Sequence, residues 1–111
     1  MKPLSAALRE KRRYVTYEII AEGGVKKPSA EKQILQIFQE YFGKFTMAKA
    51  GIMFLKDWKN NKGIFKVQRK FVDHARATLA LITSIEKQKV LARCIGVSGT
   101  LKKARERYIN D

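Results

Sequence analysis

The order in which the hydrophobic period changes along this chain is what most limits how it can fold. Over residues 14–22, Val15, Tyr17, Ile19 and Ala21 alternate with mostly polar neighbours, the two-residue period of a half-buried strand, and Glu22-Gly23-Gly24 ends it. After Lys26-Lys27-Pro28, Ser29 is placed to cap a helix in which Ile34, Leu35, Ile37, Phe38, Tyr41 and Phe42 recur at three- and four-residue spacing up to Gly43. A looser stretch, 44–50, leads into an apolar run of strand length at 51–58. The turn Lys59-Asn60-Asn61-Lys62-Gly63 then reverses the chain into 64–71, where Phe65 and Val67 alternate with Lys66, Gln68 and Lys70, so the two runs are predicted to form a β-hairpin. Asp73 is a candidate N-cap for a second helix with Ala75, Thr78, Leu79, Ile82 and Ile85 on one face down to Lys87. Residues 89–97 read as a fourth strand. A last helix over 100–111 carries Leu101, Ala104 and Tyr108 on one side and mostly basic residues on the other.

Strand, helix, strand, strand, helix, strand is the split βαβ order of ferredoxin-like α+β folds, which include the RNA-recognition domains. It predicts a four-stranded antiparallel sheet with two helices packed on one face, the other face free, and an added C-terminal basic helix. At 111 residues, 45% of them hydrophobic, the chain is expected to form one domain over 1–111 with a single modest core. No repeat, linker or low-complexity segment divides it.

Charge narrows the partner. The chain carries 24 Lys and Arg against 10 Asp and Glu, a formal net charge of +14, well beyond what solubility requires. Its basic N-terminal segment, 1–13, holds Lys2, Arg9, Lys11, Arg12 and Arg13 against Glu10, and residues 93–107 hold Arg93, Lys102, Lys103, Arg105 and Arg107 against Glu106. More than half of the net charge therefore sits near the two ends. In the second cluster an apolar run passes through Gly96 and Ser98 to Gly99 and Thr100, where a helix begins. Glycines admit close approach to the backbone and a helix start presents free N–H groups, a combination suited to an anion. With so many cations following, a nucleic-acid backbone is the leading ligand, while a plain strand-to-helix turn with a solvated basic face is the bland alternative.

Base stacking on the sheet has weak support. Against the recognition-domain pattern K/R-G-F/Y-G/A-F-V-x-F/Y, Lys62-Gly63-Ile64-Phe65-Lys66-Val67-Gln68-Arg69 matches only at Lys62, Gly63 and Val67. Phe54, Trp58 and Phe65 read most simply as core. Cys94 and His74 are the only residues of their kinds, so neither a disulfide nor a Cys/His zinc site can form within one chain. His74 reads as a surface residue, and no catalytic side chain or bound metal is expected. No run nears the roughly 18 apolar residues of a membrane span, and a cytoplasmic setting without a membrane partner is expected. Two alternatives stay open: a basic ribosomal or DNA-compacting protein, and a small phosphate-transferring enzyme with Gly23-Gly24 and Lys26-Lys27 around a phosphoryl group.

Leu8-Arg9-Glu10-Lys11-Arg12-Arg13-Tyr14 running into Glu18-Ile19-Ile20, and Gly96-Val97-Ser98-Gly99-Thr100-Leu101-Lys102, resemble the archaeal ribonuclease P protein component 2 family. The likeness extends over nearly the whole chain and is weakest at 43–73. It implies a subunit of the ribonucleoprotein that removes the 5′ leader from precursor tRNA, an endonuclease whose catalytic component is an RNA with magnesium ions held by its phosphates. The family also implies ribonuclease P protein component 3 as a partner. Carried onto this chain, RNA contact is expected from Arg9, Lys11, Arg12, Arg13, Arg93, Gly96, Ser98, Gly99, Thr100, Lys102, Lys103, Arg105 and Arg107. Residues 44–50, Trp58 and the apolar residues of the hairpin are candidates for the protein partner.

Overall fold

A computed structural model describes residues 11–110. Six strands and three helices follow in the order β1 (Arg12–Ile20), α1 (Lys27–Ala50), β2 (Met53–Lys59), β3 (Lys62–Gln68), α2 (Val72–Leu81), β4 (Ser84–Ile85), β5 (Gln88–Lys89), β6 (Leu91–Ser98) and α3 (Leu101–Ala104), the last continuing as a π turn, Arg105–Ile109. The main sheet is antiparallel with order β2-β3-β1-β6, the ferredoxin-like arrangement, and α1 and α2 cover one face. Val15, Tyr17 and Ile19 point from β1 into that core, where they meet Phe65 and Val67 of β3, Ile34 and Phe38 of α1, and Leu79 of α2. Tyr17 is 1% exposed, its ring centroid 5.7 Å from that of Phe65 and 6.2 Å from that of Trp58. Gly63 makes this possible, since a Cβ there would lie 2.6 Å from the Tyr17 hydroxyl oxygen.

Several boundaries differ from the expected ones for local reasons. Helix α1 starts at Lys27 with Pro28 in its first turn, where a fixed φ and a missing N–H cost nothing, so Ser29 is not the cap and its hydroxyl donates instead to Glu86. Gly43 kinks α1 (φ 89°, ψ 161°) without ending it, and residues 44–50 are helical rather than loose, because Met47 and Ala50 still pack on the core. The helix ends at Gly51, left-handed at φ 62°, whose N–H reaches the Met47 carbonyl at 3.4 Å.

The β2–β3 turn is tighter than expected, two residues with Asn60 and Asn61 both at positive φ. Strand β3 stops at Gln68, and a 3₁₀ turn, Arg69–Phe71, runs straight into α2. Asp73 therefore lies inside the first turn rather than capping it, and His74 is half-buried among the rings of Phe38, Phe42 and Phe71 rather than on the surface. Helix α2 ends at Leu81. Ile82 turns extended and Ile85 enters a small β4–β5 hairpin closed by Glu86 and Lys87 at positive φ, so Lys89 belongs to β5 and the fourth strand of the sheet begins at Leu91.

The sheet's second face is not free. The C-terminal segment crosses it, burying Ala104 and Ile109 against Ile64, with Tyr14, Leu55 and Leu101 at the margin. The π turn closes with the Asn110 N–H on the Arg105 carbonyl at 2.9 Å, and its wider spacing turns Ala104 and Ile109 to the same side. Tyr108 lies over Gly96, where a Cβ would come within 2.1 Å of the ring. At the far edge Arg105 grips Asp57 of β2 with two hydrogen bonds, 2.8 and 3.0 Å, which hold the Asp57 carboxyl below its usual range.

Two outcomes follow from this docking. Gly96→Val should destabilise the fold by about 2 kcal/mol by driving the Tyr108 ring away, and in a Tyr108→Ala background the cost should fall sharply, as denaturant melts of the four proteins would show. Asp57→Asn should lower the melting temperature near neutral pH. Because the ion pair depresses the folded carboxyl, its contribution is complete above the unfolded value of about 4 and disappears as pH falls through the folded one, so the gap from wild type should narrow progressively as pH falls below about 4.

Candidate nucleic-acid interface

Strand pairing decides where the cations go. Tyr14 of β1 stands opposite Lys66 of β3 on one side and Ser98 of β6 on the other, and Arg12 stands opposite Gln68. One residue further out, the Arg69 N–H donates to the Lys11 carbonyl at 2.7 Å. The start of β1, the turn after β3 and the end of β6 thus share one end of the sheet. There Lys11, Arg12, Arg69 and Lys70 are exposed, and the chain leaving β6 adds Gly99, Thr100, Lys102 and Lys103, also exposed. Arg13 is half-buried, its Nη1 donating to the Arg12 carbonyl at 3.0 Å. Arg9 lies outside the described residues.

The turn itself works differently from a bare helix terminus. Thr100 caps α3 by accepting the Lys103 N–H on Oγ1 at 3.2 Å, so the protein satisfies that amide itself. With only four α-helical residues behind it, the turn draws its positive potential from side chains rather than from a helix dipole. Gly99 stands open, with no atom within 4 Å of where a Cβ would be.

Four residues grouped with this surface by their sequence position have other surroundings. Gly96 lies beneath Tyr108, and Ser98 is buried in β6 with no hydrogen-bond partner for its hydroxyl. Arg93 pairs with Glu18 across the strands at 2.8 Å, and Arg105 is bound to Asp57. Arg107 is exposed on the π turn. Lys49, Lys66, Arg69 and Lys70 come from the middle of the chain. Their only trace in the sequence is a scatter of bases, and strand register is what sets Lys66, Arg69 and Lys70 beside the terminal clusters.

The turn after β1 is closed by the protein's own groups. The Gly23 N–H donates to Gln88 Oε1 at 2.6 Å, and Lys27 pairs with Glu31, which leaves little of the phosphoryl cradle drawn from Gly23-Gly24 and Lys26-Lys27. Burial pushes up both the Cys94 thiol and the Tyr17 hydroxyl, so neither ionises near neutral pH. Phe54, Trp58 and Phe65 pack toward the helices, which removes them as stacking platforms. Tyr41 and Phe45 on α1 are 57% and 74% exposed, with Lys49 Nζ 4.5 Å from the Phe45 ring centroid. Among the described residues no helix is long and apolar enough to cross a membrane.

Known proteins resemble this chain in sequence or in fold. Ribonuclease P protein component 2 of Thermococcus gammatolerans is 36% identical over 109 residues, covering 97% of this chain and 91% of its own. The protein of that name from Methanosarcina mazei is 32% identical over 111 residues, covering 100% and 95%. A chain in the cryo-EM structure of yeast ribonuclease MRP has the same fold, with a TM-score of 0.66 at 9% identity over 83% of this chain and 76% of that one. The family model described as Rpp14/Pop5 matches residues 13–109, and the chain belongs to the Rpp14/Pop5 family.

Proposed function

We propose that this chain is a protein subunit of ribonuclease P that binds the catalytic RNA and supports its folding into the form that removes the 5′ leader from precursor tRNA. The observation that carries the reading is the junction of the two basic termini at one end of the sheet, set by the β1–β6 register. Lys11, Arg12, Arg13, Lys102 and Lys103 meet phosphates there, Gly99 and Thr100 let the RNA backbone close on the turn, and Arg9 and Arg107 extend the contact. Cations that neutralise crowded phosphates reduce the magnesium an RNA needs to fold, which is how a protein without a nucleophile of its own raises the activity of the assembly. The reaction's magnesium belongs, in this reading, to phosphates of the RNA, and hydrolysis to the RNA as well. Protein component 3 is the proposed partner, and the exposed rings of Tyr41 and Phe45 are its candidate surface.

Reconstitution tests the proposal. Leader cleavage by the RNA and its proteins should drop strongly at low magnesium when this chain is left out, and the chain alone should cut nothing. With about six phosphates contacted, log affinity for the RNA should fall against log salt with a slope of roughly −4 to −5. Replacing Arg12, Lys102 and Lys103 by Ala should flatten that slope by about 2 to 3 with little change in melting temperature. Arg93→Ala, which removes a cation already neutralised by Glu18, should leave the slope nearly as it was.

A further inference from the structure

Where the end of α1 meets the turn after β3, an open groove of roughly 600 Å³ has Arg12, Lys49, Gly51, Gln68, Lys70 and Phe71 among its lining residues. That is the size of a small-ligand site, and among the described residues no acidic side chain lines it. Gln68 is only 8% exposed, and its Oε1 has no hydrogen-bond donor. A nearly buried amide in the wall of the groove with an unsatisfied oxygen lacks the hydrogen bond that buried polar groups normally make, a deficit that a ligand's donor would make good. Gly51 sits against it at φ +62°, a conformation that disfavours a side chain at that position.

We infer that this groove is a subsite for one unpaired nucleotide of the RNA, with Gln68 reading the base and Arg12, Lys49 and Lys70 holding the flanking phosphates. The inference rests on the RNA-binding reading above. An amide presents a donor beside an acceptor, the complement of the hydrogen-bonding edge of a base. In a duplex the Watson–Crick edge is already occupied, so this site selects a nucleotide outside a helix. The half-buried Phe71 ring supplies an apolar surface on which the base can stack.

The test uses the full chain and two fluorescent probes, a nine-residue oligouridylate and a blunt twelve-base-pair RNA duplex. Gln68→Leu keeps the volume and removes the unsatisfied oxygen, so it should fold normally. It should weaken the single strand about fivefold or more and leave duplex affinity unchanged. Lys49→Ala with Lys70→Ala, both exposed positions, should weaken the single strand as well. In the wild type, uridine 5′-monophosphate should shift the Gln68 side-chain amide resonances, a readout that decides the matter if Gln68→Leu does not fold. Equal effects of Gln68→Leu on strand and duplex, or an amide signal unmoved at saturating nucleotide, would overturn the groove assignment. Binding of the wild type to folded ribonuclease P RNA separates the two ideas: if that binding persists while the single-strand effect is missing, only the groove fails.

Discussion

Antiparallel pairing of β1 with both β3 and β6 is the constraint on which the rest of this molecule depends. Because β1 is central, its alternate residues serve two cores at once. Val15, Tyr17 and Ile19 face the two long helices, while Tyr14 and Thr16 lie on the side crossed by the C-terminal segment. A slip of one residue would exchange these sets and drive the Tyr17 ring into the face already filled by Ala104 and Ile109, so burial on both faces makes the register strongly specified. The same register places Arg12 and Arg13 beside the turn at Gly99 and Thr100. The basic surface is thus a by-product of how the core is aligned.

Within the basic segments, pairing separates two kinds of cation. Arg93 and Arg105 stand opposite Glu18 and Asp57, and those contacts hold strands and helix in place. Arg12, Lys102 and Lys103 are exposed at the shared end of the sheet. Exposed like charges crowded together repel one another, and a polyanion relieves that repulsion on binding.

The sheet and its two packed helices were legible in the sequence because periods of two and of three-to-four residues report burial directly, as Val15-Tyr17-Ile19 and Ile34-Phe38 illustrate. What escaped was decided by contacts distant in the chain. Nothing near Gly43 distinguishes a kink from a stop; the packing of Met47 and Ala50 does. Glu86 and Lys87 are poor candidates for positive φ, and the hairpin they close exists because Ile85 is buried against the core. The covered second face was hidden for a similar reason: Ala104 and Ile109 share a side only through the extra residue of a π turn. At the candidate interface, composition identified the terminal clusters, but telling a paired arginine from an unpaired one required the partner acids across the strands.

The grip of Arg105 on Asp57 has a consequence for recognition. The last helix runs from the end of β6 across to β2, so this contact fastens one border of the sheet to the other and fixes the helix's rotation about its own axis. The backbone carrying Lys102 and Lys103 is thereby held in place, so in the proposed reading an incoming strand would meet cations on a fixed support rather than on a tail that must first be immobilised.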